Sequence, residues 1–88
     1  SCKSLRILNV CECELTPQLL QAIGELDNLA ELNLGNNDMQ ASNFVYFSKL
    51  KKLHKICLPY FDAPDLAKLR AILPRTVIVI ERRPSFRM

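Results

Sequence analysis

The sequence predicts an α/β fold, a stack of short parallel strands joined by helical or near-helical returns. Two observations lead to it. The chain repeats its own apolar spacing at a shift of 24 residues, with Leu5, Leu29 and Leu53 in equivalent places. Each of these leucines leads into residues of alternating apolar and polar character, and each alternating stretch is followed by a segment with helix signals. A third observation bounds the size: 88 residues, 49% hydrophobic and 24% charged, make one small globular domain with a core and exclude a second.

The first unit reads Leu5-x-x-Leu8-x-Val10-x-x-Cys13-x-Leu15, the second Leu29-x-x-Leu32-x-Leu34-x-x-Asn37-x-Met39, and the third Leu53-x-x-Ile56-x-Leu58-x-x-Phe61. Three residues ahead of each start stands a further apolar residue: Cys2, Leu26 and Leu50. The pairs Leu8 and Val10, Leu32 and Leu34, Ile56 and Leu58 have the period of a strand with one face inward. Cys13 and Asn37 fall where the chain turns off its strand. An Asn there pairs with backbone groups of the turn, and a thiol does so weakly, which makes both structural turn residues. The third unit departs, with Phe61 in the Asn/Cys place and Ala63 in the last apolar place.

Three returns follow. Thr16 before Pro17 supplies a capping hydroxyl and a proline at the first helical position; Leu19, Leu20 and Ile23 then form an apolar stripe that ends near Gly24. Ser42 opens a shorter turn that carries Phe44 and Phe47 inward. Pro64, with Asp65 in the first turn, opens a helix in which Leu66, Leu69, Ile72 and Leu73 face the core and which stops at Pro74. Residues 76–80, β-branched throughout, form a fourth strand. Its register is open: either Val77 and Val79 or Ile78 and Ile80 point in. The stack occupies residues 1–81, and residues 82–88 are a basic tail without periodicity.

This pattern resembles the leucine-rich repeat, L-x-x-L-x-L-x-x-N/C-x-L, over residues 2–61. The resemblance implies a solenoid fragment with strands on a concave face and returns on a convex one, the C-terminal part of a larger array. Repeats with a turn cysteine, as from Leu5 to Leu15, are similar to those of F-box substrate receptors of ubiquitin ligases. That likeness implies a substrate adaptor that binds proteins. Helix-bearing repeats of the ribonuclease-inhibitor type, by contrast, end many nucleotide-binding innate-immune receptors.

Chemistry-bearing motifs are few. The pair Cys11-Glu12-Cys13 lacks zinc-knuckle spacing, and with Cys2, Cys57 and the lone His54 it forms neither a metal site nor a disulfide framework; a reducing cytoplasmic or nuclear compartment is expected. Glycine occurs only at 24 and 35, so there is no phosphate-cradling loop. Glu12 and Glu14 flank a turn and are expected to be solvated. No nucleophile with a base is apparent, and a non-enzymatic protein without cofactor or small-molecule substrate is expected. No apolar run is long enough for a membrane span, nor does the N-terminus read as a signal peptide.

Residues 1–44 set Lys3 and Arg6 against six acids, whereas residues 45–88 set ten Lys/Arg against three. The alternative functions are a nucleic-acid-associated factor using the basic half, like the short repeat domains of some mRNA-export and splicing proteins, or the sensor repeats of a nucleotide-binding receptor. Against it, only Phe86 lies among the terminal basic residues. Arg82-Arg83-x-Ser85 in the tail is a candidate phosphorylation site for a basophilic kinase.

The leading function is protein recognition by outward-facing strand residues. Alternation assigns Ile7, Asn9 and Cys11, then Glu31, Asn33 and Gly35, then Lys55, Cys57 and Pro59 to the face. Asn9, Glu31, Asn33, Lys55 and Cys57 are the candidate partner-binding residues, with Glu31 expected to pair with Lys55. Four strands about 4.8 Å apart span only about 15 Å, less than a standard interface of roughly 800 Å² per partner needs.

Overall fold

The computed structural model describes residues 4–12 and 14–81. Four parallel strands, β1 (Ile7–Asn9), β2 (Glu31–Asn33), β3 (Lys55–Leu58) and β4 (Val77–Ile80), lie side by side in sequence order. Helix α1 (Pro17–Gly24), the 3-10 segment η1 (Ala41–Phe47) and helix α2 (Ala63–Ile72) make the three returns. The 24-residue shift is the strand register itself. Leu8 lies opposite Leu32, which lies opposite Ile56. The last step is shorter, with Lys55 opposite Val77 and Ile56 opposite Ile78.

The entry to each strand after the first is fixed in the same way. The Arg6 carbonyl accepts from the amides of Ala30 and Glu31, the Ala30 carbonyl from His54 and Lys55, and the His54 carbonyl from Val77. At β4 the Thr76 hydroxyl adds a bond to the Leu53 carbonyl at 2.8 Å. That anchoring resolves the open register: Ile78 and Ile80 turn toward the core, while Val77 and Val79 are 63% and 43% exposed.

The returns follow their sequence signals with one exception. Thr16 caps α1, its hydroxyl accepting from the Leu19 amide at 3.1 Å, and Pro17 begins the helix. Leu20 and Ile23 are buried while Leu19 packs partly exposed against them. The exception is η1, which starts after Gln40 rather than at Ser42. The Asn43 side-chain oxygen accepts from the Gln40 amide at 2.9 Å, so a residue inside the segment caps it. Phe44 and Phe47 are buried as expected, and Phe44 meets Phe61 edge-on with ring centroids 4.8 Å apart. Phe61 thus converts the polar turn position of the third unit into core. Gly24 is required where α1 crosses η1, because a Cβ there would collide with the Tyr46 carbonyl oxygen.

The core lies between the sheet and the returns, around Leu32, Leu34, Ile56, Leu58, Leu20, Phe47 and Leu69. Leu5, Leu8 and Val10 of the first unit are only partly buried, in contrast to the almost fully buried Leu29, Leu32 and Leu34. The reason is positional: β1 has a neighbour on one side only. The sheet does not curl, so the face expected to be concave is an open, uncurved one. Curvature in stacked repeats accumulates from a small rotation per unit, and here only three steps contribute.

Candidate functional site: the open face of the sheet

Opposite the returns, the sheet presents two rows of side chains. Register places Ile7, Glu31, Lys55 and Val77 in one row and Asn9, Asn33, Cys57 and Val79 in the next. The five candidate residues are therefore neighbours on one surface. A shallow depression of about 180 Å³ runs between them, lined by Ile7, Asn9, Glu31, Asn33, Lys55 and Cys57.

In the first row the charged Glu31 and Lys55 lie between the aliphatic Ile7 and Val77; in the second the polar Asn9 and Asn33 lead to Cys57 and the aliphatic Val79. Ile7 at the β1 edge and Val77 at the β4 edge are each 63% exposed. Exposed β-branched residues at both margins of a polar strip are a feature the sequence reading missed for Val77 and Val79. The uniformly β-branched run at 76–80 hides which residues face out.

Asn9 and Asn33 carry a second duty. The Asn9 side-chain oxygen accepts from the Cys11 amide at 3.1 Å, and the Asn33 oxygen accepts from the Gly35 amide at 3.0 Å. Each is an Asx turn that ends its strand, and the two are equivalent at the 24-residue shift. Alignment of Asn9 with Asn33 was a readable signal for this. One residue past each turn, Glu12 and Asn36 adopt φ of 56° and 55°, the left-handed region where Asn is tolerated and Glu is uncommon. The Asn36 amide donates to a Glu81 carboxylate oxygen at 3.0 Å, and the other oxygen would lie 2.9 Å from a Cβ at Gly35. Glu81 thereby ties the end of β4 to the turn after β2.

Asn37 holds the interior of that turn. Its two side-chain N–H groups serve three carbonyls, one N–H being shared: Val10 at 2.9 Å and Leu34 and Gly35 at 3.0 Å each. The Val10 bond joins the first unit to the second. Cys13 and Ser85, the other expected turn residue and the candidate phosphorylation site, lie outside the described residues.

The expected Glu31–Lys55 ion pair is replaced. Glu31 instead approaches His54, Nε2 to Oε2 at 3.8 Å, with both side chains well exposed. Although Glu31 and Lys55 are register partners, an exposed ion pair contributes only about 0–1 kcal/mol, too little to draw the flexible Lys55 stem onto the sheet. Among the described residues no three His, Cys, Asp or Glu side chains gather as metal ligands, and no helix is long and apolar enough to cross a membrane. Comparison with protein-family models and with curated proteins finds no match.

Proposed function

We propose that the chain is a leucine-rich-repeat-type recognition module, not an enzyme, and that the open face of its sheet binds a protein partner. The observation that carries this reading is the pair of aligned rows, which place Glu31, Lys55, Asn9 and Asn33 beside the exposed aliphatic Ile7, Val77 and Val79. Such a strip offers hydrogen-bonding groups for specificity beside apolar area for affinity, on a backbone with little entropy left to lose. The repeat assignment is supported by strand pairing at the 24-residue shift, by the equivalent Asx turns at Asn9 and Asn33, and by the carbonyl network of Asn37. Within recognition, a substrate adaptor of a ubiquitin ligase is the reading that the Leu5 to Leu15 pattern favours.

The test is affinity capture from cell extract with matched variants. Proteins retained by wild type should be lost with Lys55→Glu and with Val77→Asp, and kept with Gln21→Glu and Lys68→Glu on the returns. Loss through the return variants, with the face variants neutral, would refute the proposal.

A further inference from the structure

Charge is sorted along the strand direction. The segments that follow the strands carry Glu12, Glu14, Asp38, Asp62 and Glu81, and among the described residues no Lys or Arg. Those that precede the strands carry Arg6, Lys49, Lys51, Lys52 and Arg75 against Glu25 and Asp27. Lys49 is matched locally by Glu25 at 3.3 Å. The Lys52 ammonium donates to the neutral side-chain oxygen of Asn28 at 2.7 Å, which positions the cation without cancelling it.

Three depressions adjoin along this basic rim. One of about 280 Å³ is bordered by Arg6, Asn28, Lys52 and His54. The next, about 390 Å³, shares Asn28 and Lys52 and adds Lys49 and Lys51. The last, about 280 Å³, shares Lys51 and reaches Arg75. These shared residues make the three depressions neighbours along one rim. The last recess differs in chemistry, since Leu50, Leu53, Ile72, Leu73 and Pro74 line it beside the exposed Lys51 and Arg75. Among the described residues neither of these two cations has a carboxylate within ion-pair distance.

We propose that this rim binds an acidic peptide segment, with Lys51 and Arg75 taking its carboxylates while one of its apolar side chains fills the recess between the end of α2 and the entry to β3. Apolar walls beside a cation lower the local dielectric and strengthen the charge contact, and they reward an apolar side chain placed next to the carboxylate. A peptide suits this surface better than a nucleic-acid strand. Glu25 and Asp27 repel carboxylate and phosphate alike and so confine an anionic contact to Lys51 and Arg75, which a peptide with spaced acids meets and a regular row of phosphates does not; no aromatic ring lines the recess for a base to stack on. The rim is a different surface from the open face, so the two proposals stand or fall separately.

The test uses the 88-residue chain and a fluorescein-labelled synthetic peptide of Glu, Asp and Gly with a single Leu, read by fluorescence anisotropy at low salt. Saturable binding is expected. Lys51→Glu with Arg75→Glu should weaken it at least about tenfold, and replacing the Leu of the probe by Gly should weaken it several-fold. Lys68→Glu on α2 should leave it unchanged, with equal melting curves throughout. Should the double reversal perturb folding, Lys51→Ala with Arg75→Ala supplies the same comparison. Absence of saturable binding, equal loss with Lys68→Glu, or indifference to the Leu would each overturn the proposal, as would tighter binding of a labelled oligothymidylate.

Discussion

Replacing Asn37 by Ala removes one side chain that serves three carbonyls at 2.9–3.0 Å while only 9% exposed. The Gly35 carbonyl keeps a second donor, the Glu12 amide at 3.3 Å. The carbonyls of Val10 and Leu34 lose the bond that Asn37 supplies, and a buried acceptor left unsatisfied costs about 1–3 kcal/mol. Partial access of water to the Val10 side of the turn lowers the sum, so the expected destabilisation is about 2–4 kcal/mol. In a domain of this size that corresponds to a fall in melting temperature of roughly 10–30 °C. Urea unfolding followed by circular dichroism measures it: the midpoint should drop with the slope unchanged. Asn37→Cys should recover little of the loss, since a thiol is a weaker donor, has one hydrogen in place of two and ends one atom nearer the backbone. A change below about 0.5 kcal/mol for Asn37→Ala, the range of ordinary surface substitutions, would refute the view that this residue joins the first unit to the second.

Leu32→Asp should unfold the domain, because Leu32 is 2% exposed at the centre of the core and an unpaired buried carboxylate costs several kcal/mol. Its companion, Asp38→Asn on the exposed turn, should leave the melting curve in place, and equal curves for the two would end the stacked-repeat account. Gly24→Ala should destabilise by about 1–3 kcal/mol despite the higher helix propensity of Ala, because α1 and η1 must separate to admit the methyl group; a stabilised variant in thermal melts would contradict that packing. A purified basophilic kinase should phosphorylate the chain at Ser85 and not the Ser85→Ala variant, as read by mass spectrometry; absence of label removes the site.

Much of the fold was legible because the repeat is carried by buried leucines at fixed offsets, and a one-residue slip would expose all of Leu8, Leu32 and Ile56 together. The β4 register was not, since Val77 through Ile80 are β-branched on both faces. What decides it is tertiary, namely the Val77 amide on the His54 carbonyl and the Thr76 hydroxyl on that of Leu53. Ser42 misled as the start of η1 because a cap from within the segment, Asn43 to the Gln40 amide, competes with the usual preceding hydroxyl. The Glu31 partner depends on exposed side-chain rotamers whose pairing contributes only about 0–1 kcal/mol, too little for a sequence pattern to specify. The basic rim is not legible in the sequence because Arg6, Lys51, Lys52 and Arg75 are spread over most of the chain and meet only once the strands align.

The most direct test of recognition through the open face is an NMR titration of the isotopically labelled chain with a partner that the capture experiment identifies. The account predicts amide shift changes concentrated at Ile7, Asn9, Glu31, Asn33, Lys55, Cys57, Val77 and Val79, the two rows of the sheet. Changes concentrated in α1, η1 and α2, with the strand residues still, would contradict it.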